Sequence, residues 1–107
     1  MKVVEINVGQ KVEYEVMGNK IMFQDELMLN IEKMERDFEV HIDICEDKFG
    51  MLTMGLSENY VAQIDIPARQ YESQTNGYDA ESNEIIVQVP VAFNMNNVTL
   101  TLWSMEG

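Results

Sequence analysis

The sequence predicts an all-β protein, an antiparallel β-sandwich of about seven to nine strands, and three observations lead to this prediction. Valine and isoleucine together number 20, against 10 leucines and alanines. Branched side chains are stiff at χ1 and pack well on a pleated surface, so this excess favours strands. Apolar and polar residues alternate with period two in several runs, and turn residues separate these runs. We therefore expect residues 1–107 to form a single β-sandwich domain.

The alternating runs follow one another along the chain, after a short strand at the N-terminus. Each run places apolar side chains on one face of a strand and polar side chains on the other. The clearest run is 37–44, which points Phe38, Val40, Ile42 and Ile44 toward the core. The other predicted strands are 11–16, 21–23, 60–66, 84–91 and 98–103.

The segment near residues 25–37 fits two structures. As a strand, residues 26–32 alternate cleanly, with Leu27, Leu29 and Ile31 on one face. As a helix, Asp25 would be the N-cap and an apolar stripe would include Met34. We favour the strand, and the helix would make the fold α+β.

The stretch 72–83 is predicted to be a loop. Its one aliphatic residue is Ala80, and it contains Asn76-Gly77, a pair that is typical of tight turns. Loops of about a dozen residues are uncommon in compact domains, and they are often functional or mobile.

The charge of the chain disfavours two classes of partner, nucleic acid and anionic membranes. Lysine and arginine number 7 and aspartate and glutamate 19, which gives a formal net charge of −12. Such a chain is repelled by phosphate backbones and anionic lipid, so we expect no direct nucleic-acid or membrane contact. We expect instead a protein partner with a basic patch, or self-association. A single cysteine, no signal peptide and no long apolar run predict a cytoplasmic protein.

The outward face of the 37–44 run and its continuation carries the residues most suggestive of chemistry, Asp37, Glu39, His41, Asp43 and Cys45. Same-face neighbours on a strand lie about 6.8 Å apart, so one ion cannot reach the whole row. The single histidine has no nucleophile within hydrogen-bond range on its own strand, and no phosphate-binding loop is present. We therefore expect no enzyme activity, no metal and no cofactor.

The sequence thus predicts a non-catalytic protein-interaction or structural module, a subunit of a larger assembly. Two alternatives stay open: a module that binds carbohydrate or a small ligand through aromatic side chains, and an acidic inhibitor that mimics nucleic acid. An outward tryptophan or tyrosine can anchor a protein partner or stack on a sugar. The residues predicted to bind the partner are Glu39, His41, Asp43, Trp103, Tyr71 and Tyr78.

Overall fold

The computed structural model describes residues 1–105, and within them the chain forms ten strands in three sheets. This confirms the all-β class, with more strands than the seven to nine predicted and with the sheets separate. A single turn of α-helix, α1 (Ile31–Met34), and a short 3₁₀ turn (Met95–Asn97) are also present. The strands are β1 (Lys2–Glu5), β2 (Tyr14–Met17), β3 (Lys20–Phe23), β4 (Leu27–Asn30), β5 (Val40–Glu46), β6 (Leu52–Met54), β7 (Asn59–Ile66), β8 (Tyr71–Tyr78), β9 (Glu84–Pro90) and β10 (Thr99–Leu102).

The largest sheet has five strands in the order β1-β10-β7-β5-β6. All neighbours are antiparallel except β1, which runs parallel to β10 with Lys2 opposite Thr99. The central strand β7 pairs with β5 on one side and β10 on the other. One face of this sheet is apolar, because Ile42, Ile64 and Leu100 occupy matching positions on the three strands.

The second sheet has three strands in the order β2-β3-β4 and shares its core with the first. Ile21 and Phe23 are buried at alternate positions of β3, as a period of two requires, and Leu29 is the buried residue of β4. The buried side chains of both sheets form one hydrophobic cluster, to which the second sheet contributes Ile21, Phe23 and Leu29. We call the two sheets with this common core the body.

The strand predicted for residues 26–32 is correct for Leu27–Asn30, which form β4, and wrong for Ile31 and Glu32, which begin α1. The helix that competed with it is reduced to the four residues of α1, which follow the strand directly. Asn30 is the N-cap, and its side-chain oxygen accepts a hydrogen bond from the Lys33 N–H at 3.2 Å.

The prediction for residues 37–44 is correct for the strand and wrong for its start. β5 begins at Val40, and Phe38, predicted to be in the core, is 66% exposed. The segment before Val40 contacts Arg69, which follows β7, and these contacts accompany the later start of β5. The backbone N–H of Arg69 donates to the Arg36 carbonyl at 2.8 Å, and the guanidinium of Arg69 contacts Asp37. These contacts hold the segment before Val40 outside the ladder.

The predicted loop 72–83 is wrong over most of its length, because residues up to Tyr78 belong to β8 and only 79–83 form a turn. Asn76-Gly77 lies at an irregularity of the β8–β9 ladder, where Gly77 has φ +85°. We call residues 71–90 the arm. Every residue of β8 is exposed, so the arm stands clear of the body, in a molecule measuring 67 × 22 × 20 Å.

Helices are short throughout the fold. No helix in residues 1–105 is long and apolar enough to cross a membrane. The longest elements are strands of eight residues, β7 in the body and β8 in the arm. The two regions that carry candidate functional residues are therefore both built on strands.

Candidate functional site

Two regions hold the residues of interest, and the first lies on the outward face of the five-stranded sheet. His41 and Asp43 stand on β5, Gln63 and Asp65 on β7, and Trp103 directly after β10. Their strand neighbours point into the core, so alternation directs these side chains away from it. We call the five side chains the outer-face network.

The outer-face network is a continuous row of hydrogen bonds across three strands. His41 Nδ1 lies 2.6 Å from an Asp65 oxygen, and His41 Nε2 lies 2.9 Å from Asp43 Oδ1. The Gln63 amide donates to the same Asp43 oxygen at 3.0 Å. The indole N–H of Trp103 donates to Gln63 Oε1 at 3.0 Å. Each side chain in the row therefore positions the next.

Electrostatics within the network favour a charged histidine. Hydrogen bonding to Asp65, and then to Asp43, raises the pKa of His41 above 6.5. The hydrogen bond from Gln63, and then that from His41, lowers the pKa of Asp43 below 3.8. An imidazolium donates from both nitrogens, and each nitrogen here faces a carboxylate. When protonated, the ring is held between two carboxylates on adjacent strands.

This geometry describes a cross-strand clamp. Both ring nitrogens of His41 contact carboxylates within the sheet, which leaves neither facing an external substrate. Within residues 1–105, no group of three or more His, Cys, Asp or Glu side chains is arranged to hold a metal ion. The clamp ties β5 to β7, and its histidine side chain is 48% exposed.

The aromatic residues predicted to bind a partner are dispersed over the molecule. Trp103 stacks on Tyr60, with ring centroids 5.6 Å apart and planes 28° apart. Tyr71 lies at the base of the arm, where its hydroxyl donates to Asp37 Oδ1 at 2.5 Å. Tyr78 lies at the far end of β8, about 24 Å from Tyr71 along an extended strand. The three predicted aromatics therefore do not form one surface.

The remaining residues of the predicted outward row differ in their surroundings. Glu39 is exposed and lies just before β5, outside the network. Cys45, predicted to lie on the polar face, is buried at 1% exposure and is a free thiol. The ladder shifts register between Ile44 and Cys45, and Cys45 is flanked by strands on both sides, with Tyr60 and Thr53 opposite. The irregularity interrupts the regular ladder at this point, and alternation along β5 alone therefore misplaced Cys45.

The second region is the arm, whose two faces differ in chemistry. Residues opposite one another in an antiparallel pair share a face. Glu72 pairs with Val89, and Gln74 pairs with Val87, so both valines lie on one face. Alternation adds a third side chain, Ile85, which is 39% exposed. We call Ile85, Val87 and Val89 the apolar stripe.

The opposite face of the arm is cross-linked by polar contacts. The Gln88 amide donates to the Ser73 hydroxyl at 2.7 Å. Nearer the tip, the Thr75 hydroxyl donates to Glu84. Ile86 lies on this face, opposite Thr75, and is 55% exposed. The side chains that hold the hairpin together thus lie away from the apolar stripe.

The base of the arm is anchored to the body by charge. Arg69 Nε lies 3.2 Å from Glu35 Oε1, and its Nη1 lies 3.2 Å from Asp37 Oδ1. Asp37 also accepts the hydrogen bond of Tyr71, the first residue of β8. A guanidinium that reaches two carboxylates fixes direction as well as distance. We call Arg69, Glu35, Asp37 and Tyr71 the anchor.

Sequence reasoning found half of the arm and missed the rest. The strand 84–91 was predicted from its alternation, and β9 occupies Glu84–Pro90. Its partner β8 was missed because it lacks aliphatic side chains. The one signal available was the β-branched or aromatic residues at Tyr71, Thr75 and Tyr78, which favour a strand.

Comparison with known proteins gives no relative. No family model matches the chain, and no curated protein or solved structure matches it either. Function must therefore be argued from the geometry of the outer-face network and the arm.

Proposed function

We propose that this protein is a non-catalytic structural subunit that joins a larger assembly through its arm. The observation that carries the proposal is the apolar stripe on a two-stranded ribbon that stands clear of the body. An isolated hairpin is marginally stable in water, and exposed apolar patches mark interaction sites. A protein partner would cover the stripe and add the contacts that the ribbon lacks.

The composition of the arm favours a protein over other partners. It contains no lysine or arginine, and its charged residues are the acids Glu72, Asp79, Glu81 and Glu84. These acids repel phosphates, so nucleic acid and anionic lipid are poor partners. The cytoplasm is the proposed location, because the buried Cys45 is an unpaired thiol and thiols persist in reducing compartments.

The other functions predicted from the sequence have less support. A sugar-binding module needs aromatic rings on one concave surface, and Trp103, Tyr71 and Tyr78 are dispersed. A mimic of nucleic acid needs free carboxylates in rows. Asp43 and Asp65 instead face the ring of His41 at 2.9 and 2.6 Å. A function in assembly would account for the apolar stripe of the arm, which no contact within the chain explains.

The test compares two double variants of the arm that make the same kind of change on opposite faces. The first, Ile85→Lys with Val87→Lys, places two charges in the apolar stripe. The matched control, Ser73→Lys with Thr75→Lys, places the same two charges on the opposite face of the arm, on β8 and away from the β9 edge. Both variants should retain the circular dichroism spectrum of the wild-type body, because all four positions lie on the arm.

The measurement is the mass of the particles that contain the chain, by light scattering for the purified protein and by gradient sedimentation in an extract of its source. We expect the wild type and the control to enter particles larger than the 12.3 kDa chain. The stripe variant should remain at the mass of one chain. Equal behaviour of the two variants, or a wild type that stays monomeric in both settings, would contradict the proposal.

A further inference from the structure

We propose that the partner of the arm is a second copy of this chain, paired through the free edge of β9. In this arrangement two β9 strands run antiparallel about a twofold axis, with Val87 opposite Val87. The result is one four-stranded sheet built from two arms. The inference rests on the proposed function, since it names the partner of the same arm.

The hydrogen-bond pattern of the hairpin defines which groups this edge offers. At the base of the arm, the Val91 N–H donates to the Gln70 carbonyl at 2.8 Å. Backbone N–H and C=O groups point to alternate sides of a strand from one residue to the next. The backbone groups of the apolar stripe therefore point toward β8, as those of Val91 do. The residues between them point their backbone groups to the free edge, and these are Glu84, Ile86, Gln88 and Pro90.

These edge groups are complementary to themselves. With Val87 on the axis, Ile86 of one copy lies opposite Gln88 of the other, and the two exchange a pair of N–H···O=C bonds. The twofold axis repeats that pair, and the Glu84 N–H faces the carbonyl of Pro90. The edge therefore offers about six intermolecular backbone hydrogen bonds. Proline has no N–H to donate, and it occupies the last position of the strand, where the ladder ends.

The side chains fit the same register. Ile85 lies opposite Val89, and Val87 lies opposite its own copy, so six branched side chains form one continuous face. Cross-strand pairs of this kind contribute roughly 0.2–1 kcal/mol each. Three or more strands are needed for a sheet to be stable alone, and pairing gives four. A single arm is marginally stable because it has only two strands, and pairing with a second arm removes this weakness.

Charge favours this edge over the others. Two chains of net charge −12 repel each other, so contact is favoured where charge is absent. The β9 segment from Ile85 to Pro90 contains no charged residue. Its partner β8 carries Glu72, and two of the outer strands of the body sheets also carry acids, Glu5 in β1 and Glu15 in β2. The other two outer strands, β4 and β6, are uncharged but have only four and three residues, so β9 offers a longer uncharged segment of strand edge than either.

Antiparallel pairing of the arms also keeps the bodies apart. The molecule is 67 Å long, and two β9 strands of seven residues overlap over about 24 Å. The two bodies then lie at opposite ends of the joined arms. Their separation exceeds the Debye length of about 8 Å at physiological ionic strength, so their mutual repulsion is largely screened.

The test is disulfide capture at the twofold axis, in a Cys45→Ala background that removes the native thiol. Val87→Cys places two thiols opposite each other in the proposed dimer. Val89→Cys is the matched control, because the two copies of position 89 would lie about 14 Å apart, beyond the reach of a disulfide. After mild oxidation with diamide, we expect at least about tenfold more covalent dimer for Val87→Cys than for Val89→Cys.

A mixture of two chains tests the register independently. Ile85→Cys and Val89→Cys, each poorly cross-linked alone, should form a covalent heterodimer when combined. Equal capture at positions 87 and 89, or no capture at 87, would overturn the inference. If capture at 87 fails while the stripe variant still loses its assembly, the second copy is wrong and the assembly function stands. If both fail, the arm is not the contact element.

Discussion

The outer-face network and the arm differ in the contacts that their outward side chains make. On the body, the outward side chains of β5 and β7 contact one another, from Asp65 through His41 and Asp43 to Gln63. On the arm, the polar contacts that join the two strands lie on one face, and the apolar stripe lies on the other, beside Glu72 and Gln74. The contrast is the basis of our proposal that the arm, unlike the body, is completed by another molecule.

The largest expected effect separates the two regions by stability. Ile64→Ala removes a fully buried side chain from β7 and should lower the free energy of unfolding by about 2–5 kcal/mol. Ile85→Ala makes the same chemical change on the arm and should cost within about 0.5 kcal/mol in a monomer. Urea unfolding followed by tryptophan fluorescence measures both, because Trp103 reports on the body. Equal losses would mean that the arm packs as part of the body.

An intermediate effect concerns the anchor. Arg69→Met removes the contacts with Glu35 and Asp37 while keeping a side chain of similar length. Because Arg69 is partly exposed and its ion pairs are screened by solvent, the free energy of unfolding should fall only slightly. The arm should instead lose its fixed direction, so that its amide groups tumble faster than those of the body in ¹⁵N relaxation.

A conservative variant gives the control for the anchor. Arg69→Lys keeps the charge but loses the fork of donors that reaches two carboxylates, so we expect an intermediate loss of rigidity. Arm and body that tumble together in Arg69→Met would show that the hairpin is held by contacts other than the anchor.

The smallest expected effect is a pH dependence that comes from the clamp. The pKa of His41 is raised in the folded state, so its stabilising contribution is complete below pH 6.5. That contribution is lost as the pH rises above 6.5 and passes through the raised value. The free energy of unfolding should therefore decline over this range in the wild type. The decline should be modest, because the side chain is 48% exposed.

His41→Gln supplies the comparison, since it retains a polar side chain that does not titrate. Urea unfolding at pH 5.5, 7 and 8.5 should show the two proteins differing most at pH 5.5 and converging at pH 8.5. The lowest pH stays above the range in which Asp43 titrates. A constant difference across the three values would show that protonation of His41 does not stabilise the fold.

Much of the body could be predicted from the sequence, because burial on one face leaves a period of two in the chain. Residues 60–66 and 98–103 were predicted as strands, and β7 and β10 occupy them within one residue at each end. Phe38 was placed in the core because the alternation of β5 extends past its true start. The contacts of Arg69 that hold this segment outside the ladder join residues more than 30 positions apart, and no local pattern shows them.

The candidate sites could also be predicted only in part, because they too depend on contacts between distant residues. The outward direction of Trp103 followed from the apolar residues beside it in the strand. Its hydrogen bond to Gln63, and the place of Asp65 beside His41, depend on the register between strands, which the sequence does not state. Strand β8 of the arm was missed for a different reason. A strand that buries nothing within its own chain leaves no apolar pattern, so β8 resembles a loop.

The pairing of β1 with β10 bears on the order in which the molecule forms. Lys2 lies opposite Thr99, so this pair closes a loop of nearly the whole chain, whereas the two strands of the arm are joined by the turn at 79–83. Hairpins form in about 1–10 μs, and sheets built from distant partners form much more slowly. The arm is therefore assembled while the five-stranded sheet is still incomplete. If two arms pair as proposed, the free edge of β9 is available to a second chain throughout that interval, and pairing can begin before folding ends.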